Sequence, residues 1–302
     1  MKIIKSRNAV AAFLAALLVT TGPAHAQVSA WQPFVSVTPV YQGTSDLDGG
    51  GDFSASRIGV LAGIAGSLGS GNRAGVTLNY DYVDYSFSNA LRFGGVVPWN
   101  TVQHYGVSVP LSFALGDDWS LGVTPSLDWF KENGADSAES RVWGGVVSAV
   151  KRFPDGNILG FGVGVFEQIE KTSAFPLLIV DWRLSDRWRL VNPLTAGPTG
   201  PAGLELDYVF DNGWSVGLGA AFRSLRFRLS SRGPVPNGVG EERGVPVFVR
   251  GTYNFDKQTA LHLYAGVVAA GELRVYDPSG NKLRDDNFDA APLLGATLTA
   301  RF

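Results

Sequence analysis

The last fourteen residues, Asp289 to Phe302, read DAAPLLGATLTARF. At period two, Leu294, Ala296, Leu298, Ala300 and Phe302 share one face, and Gly295, Thr297, Thr299 and Arg301 share the other. One side is greasy and one is wet, the alternation of a half-buried strand rather than a helix. The stretch stops on an aromatic. An ordinary terminal strand of a soluble β-sandwich would hide such a face as well, so the rest of the chain has to decide between the two.

A terminal strand of this kind resembles the signal by which bacterial outer-membrane β-barrels are recognised and inserted. It implies the barrel assembly machinery as a partner, engaged through the strand ending at Phe302. In a barrel it would be the closing strand, paired with the first so that no sheet edge faces lipid. The opposite end of the chain agrees. Lys2, Lys5 and Arg7 precede a short apolar run from Ala9 to Thr20, and Ala24-His25-Ala26 has the small-x-small pattern of a signal-peptidase site. Residues 1–26 are therefore expected to be a signal peptide, and residues 27–302 one exported domain. The apolar run is shorter than the ~20 residues of a spanning helix. With no Cys in the chain, a lipoprotein and a disulfide scaffold are both excluded. Removing three basic residues from 25 Lys+Arg leaves 22 against 27 Asp+Glu, a net charge near −5, which argues against nucleic acid.

Between these ends runs a train of period-two segments. Six short turn signals punctuate it, at 69–72, 116–118, 154–157, 185–187, 211–213 and 256–258, where Gly, Asn and Asp predominate. Longer polar loops alternate with them, at 44–53, 89–101, 132–139, near Lys171, and at 195–201, 230–243 and 277–289. The fold class is all-β, an antiparallel transmembrane β-barrel of about 14 strands with short turns on one side and long loops on the other. Twelve is the alternative count if the weak segments near Lys171 and Asn192 do not pair. Trp119, Trp188 and Trp214 each adjoin a short turn, where an interfacial aromatic girdle belongs.

The opposite faces carry the polar residues. The candidates for the lumen are Arg57, Asp81, His104, Asp128, Asp181, Arg183, Arg189, Glu205, Asp207, Arg223, Arg250 and His262. Charges of both signs on neighbouring strands can pair across the ladder. They can also form a charged constriction that selects solutes. A fourteen-stranded barrel is too wide for side chains alone to fill, so an inward loop or a water-filled pore is required. In AAFRSLRFRL (220–229) the apolar parity shifts, and a bulge near Arg223-Ser224 would reconcile it. Arg226 and Arg228 are then expected on the outer rim, in reach of lipopolysaccharide phosphates.

Catalysis finds little support. His104 and His262 are the two histidines after the signal segment, and neither lies in a hydrolase motif. Asp46, Asp48 and Asp52 crowd one loop without calcium-loop spacing. No enzyme activity, cofactor or metal is expected.

The run DWRLSDRWRLVNP (181–193), followed by GPAGLELDYVFDNGWSVGLGAAFRSLRFRL (200–229), resembles a family of bacterial outer-membrane β-barrels of unknown function, the domain-of-unknown-function 6268 group. DLDGGGDFSASRIGVLAGI (46–64) is similar to that family's first hairpin. The resemblance implies an outer-membrane location, with membrane lipids and lipopolysaccharide as neighbours, and assigns no chemistry. The expected function is a porin-like passive channel for small solutes or ions. The alternatives are a plugged structural or surface-interaction barrel and, behind it, an enzyme acting on envelope lipid.

Overall fold

The computed structural model describes residues 31–302; the expected signal peptide lies outside them. From Gln32 the chain is almost entirely strand. The first staves are β1 (Gln32–Asp46), β2 (Asp52–Gly69) and β3 (Asn72–Ser88), then one in two pieces, β4 (Thr101–Ser108) and β5 (Leu111–Gly116). β6 (Trp119–Glu132), β7 (Arg141–Arg152), β8 (Ile158–Gln168) and β9 (Lys171–Arg183) follow. β10 (Trp188–Val191) and β11 (Gly203–Val209) are short. β12 (Trp214–Ala221) and β13 (Arg223–Arg228) share a stave, β14 (Val239–Asn254) and β15 (Thr259–Tyr276) are long, and β16 (Lys282–Phe288) and β17 (Ala291–Arg301) share the last. Seventeen strands with three staves in two pieces make fourteen staves, and β1 pairs antiparallel with β17 to close the sheet. The weak segments do pair: β10 joins β9 and β11, which settles the count at fourteen.

All six short turns fall between strands at one end of the barrel. Trp119, Trp188 and Trp214 open strands there with their rings exposed. The wall between the ends shows why the sequence closes on itself. β8, ILGFGVGVFEQ, alternates buried and exposed without a break. Leu159, Phe161, Val163 and Val165 point out, as do Val76, Leu78, Tyr80 and Tyr82 of β3 and Leu294 and Leu298 of β17. An uninterrupted apolar outer belt around a polar interior is the pattern of a barrel solvated by lipid.

At the long-loop end the wall bends. β12 gives way to β13 at Phe222, and β14 and β15 slip register between Arg243 and Val245. Ala270 there takes φ +49°, and the last stave breaks at 289–290. β1 and β2 slip between Gln42 and Ser45. The first four irregularities stand side by side, because Arg223 pairs with Gly244, Val245 with Ala269, Val268 with Ala291 and Gly271 with Phe288. Bulges bend a strand and sharpen its twist, so bulges in line make a crease. Beyond it, β13, the outer ends of β14 and β15, and β16 form a four-stranded flap.

The flap lies across the outer mouth, since its residues reach most of the way round the rim. Arg223 meets Gln42 of β1, Tyr85 of β3 meets Glu242, and Arg228 pairs with Lys131 of β6. Arg226 meets the carbonyl of Ile169 in the β8–β9 turn. Apart from Arg223 and Glu242, its inner face is apolar and packs on the upper wall and the loop before β4: Phe227, Leu273, Val275 and Phe288 bury against Phe53, Tyr85 and Trp99. Ring centroids lie 4.8 Å apart for Phe53–Phe288 and 5.3 Å for Trp99–Phe227. Gly240 lets Phe227 close in, for a Cβ there would stand 2.5 Å from its ring. The expected loop at 277–289 is thus corrected: only its tip is a loop, and Lys282–Phe288 is a strand of the flap. The expected loop at 230–243 likewise ends early, at Val239.

Candidate functional site: the interrupted lumen

The lumen is built from the inward face of each strand, and its charges gather in three groups. The first hangs on β2, β3, β4 and β6. Asp81 pairs in register with Gly59, which has no side chain to occupy the space. Arg57 fills it, with Nε 2.9 Å and Nη2 2.7 Å from Asp81 Oδ1. His104 sits opposite Asp81, its Nδ1 2.8 Å from Asp81 Oδ2 and its Nε2 2.9 Å from Asp128 Oδ1. Asn79 donates to Asp128 at 3.1 Å, and the His104 ring stacks on Phe130 at 3.9 Å. Above this group, Arg223 Nη2 donates to Gln42 Oε1 at 2.8 Å and to Glu242 Oε1 at 2.6 Å. The Tyr85 hydroxyl donates to Glu242 Oε2 at 2.6 Å.

The second group faces it from β11, β14 and β15. Arg250 reaches Glu205 with Nε at 2.7 Å and Asp207 with Nη2 at 2.9 Å. Gly217, paired with both Asp207 and Arg250, leaves the room between them. His262 lies beside it, its Nδ1 2.9 Å from the Thr252 hydroxyl. The third group is nearer the short-turn end, where Arg189 grips Asp181 bidentately at 2.6 and 2.5 Å. All three pair opposite charges, which removes the cost of burying them alone.

Eleven of the twelve sequence candidates therefore line or roof the lumen, with Arg57, Asp81, His104 and Asp128 in one group and Arg223 above it. Arg183 does not join them: it is exposed at the end of β9, beside the turn. Arg226 and Arg228 are the larger correction. They lie at the outer end as expected, but they are only 4% and 3% exposed, not on a solvated rim. Arg226 donates to Ile169 O at 2.7 Å and meets Glu241 at 3.4 Å; Arg228 bonds Glu170 at 2.5 Å and the carbonyls of Glu139 and Asn237. The crease turns their face of the sheet toward the β8–β9 turn. Burial pushes the Glu241 carboxyl of the flap up, but Arg243, the Tyr276 hydroxyl and Arg226 together hold it below the usual carboxylate range.

Sequence reading missed the obstruction. Residues 192–202, between β10 and β11, were expected to form an outer loop at 195–201, yet they fold into the barrel. Thr38 of β1 donates to Ala196 O at 2.6 Å and lies 3.0 Å from Thr297 of β17. Gly197 packs on the Tyr264 hydroxyl and Pro198 on Gly295. Asn192 anchors the near end: its amide nitrogen donates to Leu178 O and Gly203 O, and its oxygen accepts from Val180 N. Composition carries no sign of direction; Thr-Ala-Gly-Pro-Thr-Gly-Pro reads as a loop wherever it goes.

Space remains on the β1–β6 side. A cavity of about 180 Å³ lies between the flap, the first charged group and loop 192–202. Another of about 250 Å³ lies toward the short-turn end, bounded by Arg73, Ser120 and Arg152. Thr77 lines both, so they follow one another along β3.

No protein-family model matches the chain, and no curated protein does. Among solved structures, the chain is similar to an outer-membrane channel from Pseudomonas putida F1, at 13% identity and TM-score 0.46, over 92% of this chain and 97% of that one. It is similar to the Pseudomonas putida toluene transporter TodX at 11% identity and TM-score 0.45, over 92% and 90% of the two chains. The translocator domain of the autotransporter NalP from Neisseria meningitidis aligns at 12% identity and TM-score 0.39, over 90% and 89%.

Proposed function

We propose that this is a porin-like channel of the bacterial outer membrane for small polar solutes or ions, with its lumen interrupted by loop 192–202 and capped by the flap. On this reading the chain is exported by its signal peptide and inserted by the barrel assembly machinery through the strand ending at Phe302. Its neighbours are then membrane lipids and lipopolysaccharide, and the mid-chain resemblance to the domain-of-unknown-function 6268 barrels describes its kin. The observation that carries the proposal is the pair of cavities in line along β3, each with two arginines in its lining, Arg57 and Arg223 in one and Arg73 and Arg152 in the other. A barrel with only a structural task would gain stability by filling that volume, since interiors pack densely. His104 and His262 serve as hydrogen-bonded wall residues, and the proposal includes no catalytic step.

The second reading, a plugged structural barrel, draws on the aromatic core beneath the flap. Single-channel conductance of the refolded chain in a planar bilayer separates the two. The channel reading expects small openings that scale with salt, and larger ones once residues 194–200 are replaced by a two-glycine link. Silence from a folded barrel, with and without that replacement, would leave the plugged reading standing.

A further inference from the structure

The cavity beneath the flap is more than a passage, because its hydrogen-bonding capacity is unbalanced. Three carboxylates face it, and all are occupied. Asp81 is held by Arg57 and His104, Asp128 by Asn79 and His104, and Glu242 by Arg223 and Tyr85. The donors are not used up. Among the described residues Arg57 spends Nε and Nη2 on Asp81, leaving Nη1, and Arg223 spends only Nη2. Gln42 is 2% exposed and gives its oxygen to Arg223, while its Nε2 has no hydrogen-bond partner among the described residues. A buried amide donor left unmade costs ~1–3 kcal/mol, so such a group points to a missing acceptor. Exposure runs the same way: the Arg57 side chain is 26% open and that of Arg223 19%, against 15% for Asp81, 7% for Asp128 and 3% for Glu242. The guanidinium groups, more than the carboxylates, meet the empty space.

Next to these donors the lining turns apolar, at Val40, Val83 and Val102. The volume of about 180 Å³ is below the ~300–1,000 Å³ of pockets that hold drug-sized ligands. We propose that this cavity is a binding site for a small amphipathic carboxylate. Its carboxylate lies between Arg57, Arg223 and the Gln42 amide, and its short apolar body lies along the three valines. Guanidinium is the group suited to this task, because it offers forked donors at fixed geometry and keeps its charge. The inference rests on the channel reading for its biological sense, as the solute that the channel retains, but not for its chemistry.

The test is equilibrium binding to the full refolded chain in detergent by titration calorimetry, with hexanoate as probe and hexanol and hexylamine as controls. Saturable one-to-one binding of hexanoate, at least tenfold tighter than either control, is expected. Arg57→Gln and Gln42→Met should each weaken it about tenfold or more, an effect of ~1.4 kcal/mol. Arg152→Gln, in the other cavity, should leave it unchanged. Heat-modifiable migration on gels verifies that each variant is folded, and Gln42→Met adds no charge, so at least one site variant keeps the wall's ion pairs. No saturable hexanoate binding, equal binding of hexanol, or an affinity indifferent to both substitutions would overturn the site. Conduction without binding defeats this inference alone, and binding without conduction defeats the channel alone.

Discussion

The two ends of the lumen are made from the same strands and solve opposite problems. Toward the short turns the inward face is wet, with Arg73, Ser120 and Arg152 around open volume. Toward the loops it is largely apolar, with Phe53, Trp99 and Phe227 fully buried. The changeover takes one inward step on each strand. Arg57 gives way to Ala55 and Phe53, Asp81 to Val83 and Tyr85, His104 to Val102, and Asp128 to Phe130. Period-two alternation makes the wall; a second, slower change along the inward face decides where water stops. The flap is what that dry upper ring exists to hold.

The contrast is broken most directly at the centre of the dry half. Phe227→Ala deletes a fully buried ring that packs on Tyr85 and Trp99, a class of change that costs ~3–5 kcal/mol. The flap should loosen while the barrel below it persists. Limited proteolysis then cuts in the 229–238 connection, and conductance rises, with heat-modifiable migration retained. If barrel and flap melt together instead, the two halves are one cooperative unit and the comparison fails.

Next in size is the pairing on the flap's other face. Arg228→Ala removes a buried guanidinium and strips its bonds to Glu170, Glu139 O and Asn237 O. Hydrogen bonds from charged groups contribute ~1.5–3 kcal/mol, and Glu170, being partly exposed, can rehydrate. The expected outcome is protease sensitivity at the β8–β9 turn and the flap tip, smaller than for Phe227→Ala. Binding of lipopolysaccharide should not change, because this side chain does not face outward. A loss of that binding with the fold intact would restore the exposed rim.

A smaller effect belongs to the wet half. Thr38→Val keeps volume and deletes the hydroxyl that ties loop 192–202 to the wall through Ala196 O and Thr297. The loss is ~1 kcal/mol. It should appear as more frequent channel openings with little change in thermal stability. A fall in stability without any change in openings would mean that the loop is a structural strut rather than an obstruction.

How much of this could be read in the sequence follows from the same division. The wall was legible, because alternation, six Gly/Asn/Asp turns and Trp at their edges are local signals. So was most of the inward set, whose opposite charges pair in space, Asp181 with Arg189 and Glu205 and Asp207 with Arg250. The flap was not. KLRDDNF (282–288) has polar residues at both parities and therefore reads as a loop, yet it is a strand because Leu273, Val275 and their neighbours on β15 pair with it. AAFRSLRFRL betrayed the crease by its parity shift at Phe222. It misled about Arg226 and Arg228, since charges at a strand end read as solvated unless the turn that covers them is known. Loop 192–202 gave no sign at all; whether a loop goes in or out is set by Thr38 and Tyr264, some 65–160 positions away in the chain.

The finest test of the comparison is at the flap's tip, where neither core nor lumen contributes. Asp277 closes the β15–β16 turn: its Oδ1 accepts from the amides of Ser279 and Asn281, both at 2.9 Å, and its Oδ2 from the Asn281 side chain at 2.9 Å. These bonds, the Asn281 side chain first and its backbone second, hold the carboxyl below the usual carboxylate range. A carboxyl whose folded value lies below its unfolded one stabilises fully above the unfolded value, and that contribution is lost as pH falls through the folded one. The tip should therefore be ordered at neutral pH and loosen only in acid, below the ordinary Asp value of ~3.9. Hydrogen exchange at 277–281, compared at pH 6 and pH 3 after correction for intrinsic rates, should rise at the tip alone, and Asp277→Asn should flatten the pH dependence. Strand β16 should stay protected throughout, because its anchor is the apolar face under Phe288 and not the turn. Exchange that spreads from the tip into β16 would show a flap held by its edge, and the dry half would then owe its closure to polar pairing rather than to its core.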